Sequence, residues 1–245
     1  MKKPAFTATL LGGGALLGLA GEVLYVGFRD LPRFTGVDPS GVFGTPDLPA
    51  LRIAVLGDSS CTGPGLSDPD QNWVRRVGAH FGRRFHTTVD SVAVGGSRSH
   101  DVLRDQVPGI LPTKPDVALV SVGSNDMLYG VSLRTFARNI EAIIAELLTC
   151  TPAVVLSGVG DLGTIPRLPF ALARIMRWRG MKADRVMVSV ASRYVGAVKI
   201  PVRERCGGAF DDPGIYSPDL LHVGEEGHRL WAEAAIPSIE EVLEV

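Results

Sequence analysis

The chain has 245 residues, 45% of them hydrophobic and 21% charged, a balance that suits one packed core with an appendage. A formal net charge of -1 supplies no basic field, so nucleic acid is not expected as a partner. Three cysteines, Cys61, Cys150 and Cys206, match no zinc spacing, allow at most one disulfide and leave the redox compartment open.

Lys2 and Lys3 precede an apolar run over 5–28 that only Glu22 and a few small polar residues interrupt. A bilayer span needs about 20 apolar residues. The run therefore reads as an uncleaved anchor, with Glu22 near an interface where its charge costs less. Two alternatives are a cleaved signal peptide, with Gly18-Leu19-Ala20 as the small-x-small site, and a soluble amphipathic helix. A basic N-terminus that stays inside places the folded domain outside the cytoplasm, membrane-anchored or secreted. Glycines 12–14 lie within the apolar run and follow no strand, so they are a poor nucleotide loop. Residues 31–50 hold four prolines without helical or alternating period and read as a linker. The domain is expected over 51–245.

Its first element, LRIAVLG at 51–57, is a short apolar run closed by glycine, as a buried strand would be. Residues 71–85 carry Trp73, Val74, Val77 and Phe81 at helical spacing. A second strand is expected over 87–94, a short helix over 99–107 and a third strand over 117–123. Residues 133–148 form the clearest helix, with Phe136, Ile140, Ile143, Ile144 and Leu147 recurring at three and four. A fourth strand starts at Ala153, a helix lies within 171–194, a fifth strand covers 195–200, and a helix over 225–243 ends the chain. Alternating strands and helices imply right-handed βαβ units: a five-stranded parallel sheet with helices on both faces. Such sheets carry their sites beyond the C-terminal strand ends.

Polar clusters stand at those ends. Gly57-Asp58-Ser59-Ser60 follows the first strand, Gly95-Gly96-Ser97 the second, and Gly123-Ser124-Asn125-Asp126 the third. Asp219-Leu220-Leu221-His222 comes near the end. A serine hydroxyl needs a base within hydrogen-bond reach, and a histidine serves if a third group fixes its tautomer. Asp219 and His222, three apart, can share one face, leaving Nε2 free towards Ser59. The N–H groups of Ser59 and Gly96 and the Asn125 amide are then candidate donors to an oxyanion.

The ordered blocks GDS, Gly, GSND and DLLH resemble those of the SGNH (GDSL-type) hydrolase family, with Ser59, Gly96, Asn125 and His222 matching its four name-giving residues. The resemblance runs from Leu51 to about His222, and HVGEEGHRLWAEA resembles the family's closing helix. It implies a flavodoxin-like three-layer α/β/α fold and ester hydrolysis through an acyl-enzyme, with no cofactor. Ser60 stands where leucine is frequent, Ser91 where asparagine is usual, and Leu220 where glycine is frequent. Expected substrates are small-molecule, lipid or glycan esters. Rival expectations are acyl transfer to a sugar or lipid hydroxyl, and a membrane-tethered binding protein on an inactive hydrolase scaffold.

Bland readings are assigned to the remaining residues. Asp58 is expected to hold its loop, Ser60 is the second-choice nucleophile, and Cys61 is expected to be inert. His80, His86 and His228 read as surface or packing groups, and His100 as a possible substrate contact. Asp219, His222 and His228 match no standard metal spacing. Residues 162–170 read as a loop over the sheet, with an acyl-pocket wall as the alternative. Arg174, Arg177, Trp178 and Arg179 read as a solvated face, with lipid headgroups as the alternative.

Overall fold

The structure, a computed structural model, describes residues 17–244. Lys2, Lys3, the glycines at 12–14 and the first part of the apolar run lie outside the described residues.

Five strands form the expected parallel sheet: β2 (Ala50–Gly57), β3 (His86–Ser91), β4 (Val117–Ser121), β5 (Ala153–Ser157) and β6 (Ala197–Ile200). A sixth, β1 (Gly41–Phe43), pairs antiparallel with β3 at the edge, giving the order β1-β3-β2-β4-β5-β6. It comes from the stretch expected as a linker. Three residues are too few to show a period, and Phe43 alone marks the strand by packing over Gly78 and under Arg75. Taken in chain order, the five parallel strands run 2-1-3-4-5, which sets the switch point between β2 and β4. Register pairs Gly57 with Ser121 and Ser121 with Ser157, so three strands end at one level.

Alternate strand residues feed two cores. Ile53, Val55, Leu119 and Val155 meet α1 (Trp73–Phe81) and α4 (Glu225–Leu243) on one face. Leu56, Val120, Val154 and Leu156 meet α2 (Leu133–Leu147) and α3 (Phe170–Ala191) on the other. The result is the expected three-layer α/β/α fold. The expected stripe of α2 is fully buried, at about 1.5–3 kcal/mol per large apolar side chain.

Helix starts are capped where the sequence allows. Asn72 accepts from Val74 N–H at 2.8 Å and Ser132 from Thr135 N–H at 3.1 Å, each satisfying an orphan donor. α3 begins at Pro169, which has no capping side chain. Glu22, in a helical segment over 17–28, supplies the cap: its carboxylate accepts from Ala171 N–H at 3.1 Å and Leu172 N–H at 2.8 Å. The charge expected near a membrane interface is thus spent on the positive end of a helix. No helix among the described residues is long and apolar enough to cross a membrane.

Candidate active site

The turn after β2 is forced by close packing. Gly57 has φ 151°, and a Cβ there would sit 2.1 Å from the Ser121 carbonyl oxygen, so only glycine fits. Asp58 then caps the short helix Ser59–Thr62, accepting from Ser60 N–H at 2.8 Å. This places Ser59 at the first helical position, half-buried, above the sheet. Ser60 is otherwise engaged: its hydroxyl shares a 2.6 Å hydrogen bond with Ser121, and its carbonyl accepts from the Trp73 indole N–H.

One cleft is lined by Ser59, Asn125 and His222, with Asp58 and Ser60 beside them. The atom-free space in and around it is about 890 Å³, open solvent at its mouth included. Leu128, Leu162, Ile165, Val202, Phe210 and Trp231 give it apolar walls. Leu162 and Ile165 also belong to the core, so the 162–170 segment both covers the sheet and lines the cleft.

Asp219 is buried and its Oδ2 lies 2.6 Å from His222 Nδ1. Its Oδ1 accepts the N–H groups of Leu221 and His222, both at 3.0 Å. The turn closes through Ser217 N–H to the His222 carbonyl at 2.7 Å. Leu220, where the family often has glycine, sits at φ 59°, a left-handed conformation that costs a Cβ-bearing residue about 1–2 kcal/mol. His222 Nε2 makes no hydrogen bond to the protein among the described residues, which leaves it open to the cleft.

Asn125 follows Gly123 in the short helix Ser124–Leu128. Its amide nitrogen donates to the Ser97 carbonyl at 3.1 Å and to Asp58 Oδ2 at 3.3 Å. Gly96 stands apart from the cleft lining. It borders an adjoining hollow with Gly95, Ser97 and Gln106. The link is Gly95, where a Cβ would lie 3.9 Å from Ser59 Cβ. Gly96 has φ 84° and open space around it. Among the described residues neither Ser59 N–H nor Gly96 N–H has a protein acceptor.

Sequence reasoning missed the residues that brace these loops. Gln106 accepts from Gly57 N–H at 2.8 Å and donates to the Gly57 carbonyl at 2.9 Å and to Ser97 Oγ at 3.1 Å. A π turn over Val102–Gln106 inserts it there, as such bulges do near functional sites. Asp126 is buried and accepts from Ser99 N–H at 2.8 Å and Ser99 Oγ at 2.5 Å. Burial raises its pKa and pushes that of Asp58 up to about 6, since charged carboxylates lose water there.

Other expectations resolve simply. His100 pairs with Asp101, and His80 with Glu240. His228, expected as a surface or packing group, is buried and lines the cleft. Arg179 donates to the carbonyls of Met127 and Val131, and Arg177 pairs with Asp161, while Trp178 is half-exposed. Cys61, Cys150 and Cys206 are free thiols, and burial pushes Cys61 far above the ordinary thiol range. Among the described residues no three His, Cys, Asp or Glu side chains gather as a metal set.

A family model described as "GDSL-like Lipase/Acylhydrolase family" matches residues 55–230. The chain belongs to this family. It is 23% identical over 201 residues to the GDSL-like esterase Rv1075c of Mycobacterium tuberculosis (strain ATCC 25618 / H37Rv). That match covers 79% of this chain and 63% of the relative, so it spans under two thirds of the longer protein. The structure of TesA superposes with a TM-score of 0.65 at 22% identity, covering 78% of this chain and 99% of TesA. A catalytic mutant of Axe2, an acetylxylan esterase from Geobacillus stearothermophilus, gives a TM-score of 0.63 at 15% identity, covering 80% and 96%. At these identities the likeness to solved structures is one of fold.

Proposed function

We propose that this GDSL-family chain hydrolyses carboxylic esters with Ser59 as nucleophile. The observation that carries the reading is the 2.6 Å bond from buried Asp219 to His222, which lines the same cleft as Ser59 and Asn125. Asp219 holds the Nδ1 proton, so Nε2 is the free base. Ser59 Oγ attacks the ester carbon, and its proton passes to His222 Nε2. The carbonyl oxygen becomes an oxyanion that draws on Ser59 N–H, Gly96 N–H and the Asn125 N–H now resting on Asp58. His222 returns the proton to the leaving alcohol. Water, activated by the same imidazole, releases the acid from the acyl-enzyme. The apolar walls suit a hydrocarbon-rich portion of the substrate.

We also propose that the apolar N-terminal run holds the domain at a membrane, outside the cytoplasm. Support comes from its length behind Lys2 and Lys3.

Turnover of short p-nitrophenyl esters tests the chemistry. Ser59→Ala is expected to lower kcat by several orders of magnitude, as loss of a triad nucleophile does. A variant within tenfold of wild type sinks the assignment. Product analysis with added sugar or lipid alcohols reads whether water alone takes the acyl group.

A further inference from the structure

The cleft holds a second histidine, and its chemistry differs from that of His222. His228, in the first turn of α4, is 2% exposed. Its Nδ1 accepts the backbone N–H of Trp73 at 3.2 Å. A nitrogen that accepts carries no proton, so the proton of the neutral ring sits on Nε2. Burial first, then the Arg76 guanidinium and His222, push its pKa down to about 4. The ring is therefore neutral at physiological pH, with Nε2–H as a donor. It cannot serve as the base, because one nitrogen is engaged and the other is protonated.

The ring is also fixed in place. Trp231 stacks beside it with centroids 6.4 Å apart, and Trp231 stacks on Trp73 at 5.8 Å. Nε2 has no protein partner among the described residues. It is not sealed in, since the sealed, unpaired side-chain polar atoms there are Thr62 Oγ1 and Asp184 Oδ1. His228 lines the cleft, from which we infer that the open side of Nε2 is the cleft. Val202, Phe210 and Trp231 line the same cleft and offer no acceptor of their own. A substrate that displaces water from this donor without offering an acceptor leaves it unpaired, at a cost of about 1–3 kcal/mol, and a substrate oxygen avoids that cost.

We propose that His228 reads the substrate: its Nε2–H donates to an oxygen other than the reacting carbonyl, so the enzyme favours esters bearing an additional hydroxyl, ether or carbonyl oxygen over their hydrocarbon counterparts. This rests on the cleft being the ester site, and it narrows the substrate class there. A purely aliphatic ester leaves the donor unpaired. A polar site rejects a substrate lacking its partner more strongly than an apolar site rejects an added group.

The test compares esters of equal length on the full chain. One series takes p-nitrophenyl hexanoate and its analogues in which oxygen replaces each chain methylene beyond the α carbon in turn. The other takes butyl acetate and 2-methoxyethyl acetate. The readout is the ratio of kcat/KM, oxygenated over hydrocarbon, in wild type divided by the same ratio in each variant. Intrinsic reactivity, loss of folded enzyme and loss of basal turnover all cancel in this quotient. For at least one oxygen position His228→Phe is expected to lose about tenfold of the preference, mostly through KM, the order expected of one neutral hydrogen bond. His228→Gln can accept from Trp73 N–H through Oε1 and still donate through Nε2, so it is expected to retain the preference within about threefold. An unchanged quotient for His228→Phe at every position overturns the proposal, as does a loss in His228→Gln equal to that in His228→Phe. If wild type hydrolyses the hydrocarbon esters and prefers no oxygenated one, the His228 role falls and the ester reading stands. If wild type hydrolyses neither series, both fall.

Discussion

The two halves of the candidate site are held in different ways. On the strand-end half, Ser59, Gly96 and Asn125 stand on three loops tied together by buried side chains distant in sequence. Gln106 joins the first loop to the second, Asp58 meets Asn125, and Asp126 clamps Ser99. On the other half, Asp219 and His222 share one short turn whose hydrogen bonds are almost all local. The first half is built into the core, and its geometry is inseparable from folding. The second is a self-contained turn, so its chemistry can be removed at small cost to stability.

His222→Ala should therefore show the largest functional effect with a small structural one. Loss of the base is expected to lower kcat by about four or more orders of magnitude. The urea midpoint should move little, with under about 1 kcal/mol lost. A variant destabilised by several kcal/mol would show that the turn, too, is part of the folding unit.

Gln106→Leu breaks the comparison from the other side. It leaves the buried Gly57 N–H unpaired and unties the Gly96 loop. We expect about 2–3 kcal/mol of lost stability, from the desolvation cost of an orphaned buried donor and the lost hydrogen bonds, together with a fall in kcat. Full activity in a destabilised variant would mean that the brace holds the fold but not the site.

Asp58→Asn sharpens the comparison through pH. The folded pKa of Asp58, about 6, lies above its ordinary value of 3.8. A carboxyl shifted up contributes stability that is present below about pH 4 and lost as pH rises through 6. Asparagine does not titrate, so the stability of the variant minus that of wild type should rise between pH 4 and 7, by about 2 kcal/mol. Urea unfolding at both pH values reads it, and a flat difference would mean that burial of this carboxylate is not what strains the strand-end half.

The smallest effect belongs to the turn. Leu220→Gly relieves the left-handed backbone at φ 59°, while glycine adds unfolded-state entropy. A net change within about 1 kcal/mol is expected, with kcat held within about threefold, by thermal unfolding and ester turnover. A large loss of kcat would show that the Leu220 side chain, rather than the turn, sets His222.

What could be read from the sequence follows the same division. The parallel strands and α2 were legible because apolar runs and three-four spacing are local signals. The GDS and GSND clusters are legible because each punctuates such a run, and DLLH because its Asp and His stand three apart. Edge strand β1 escaped because three residues carry no period. Gln106 and Asp126 escaped as braces because their partners lie 49 and 27 residues away, and a buried polar pairing leaves no periodic trace. Glu22 stands out in sequence only by its charge in an apolar run, whereas its partner is the uncapped start of α3. His228 reads as a surface or packing group although a signal exists: it shares a helical stripe with Trp231, Ala232 and Ala235, and the two alanines are buried in the core on that face of the sheet.

The central claim is that Ser59 is the nucleophile of the cleft. Labelling the full chain with a fluorophosphonate, followed by peptide mass spectrometry, tests it most directly. The account predicts a single phosphonylated residue, Ser59, with labelling abolished in Ser59→Ala and strongly slowed in His222→Ala. Modification of Ser60 or Ser97 instead, or labelling that persists in Ser59→Ala, would contradict it.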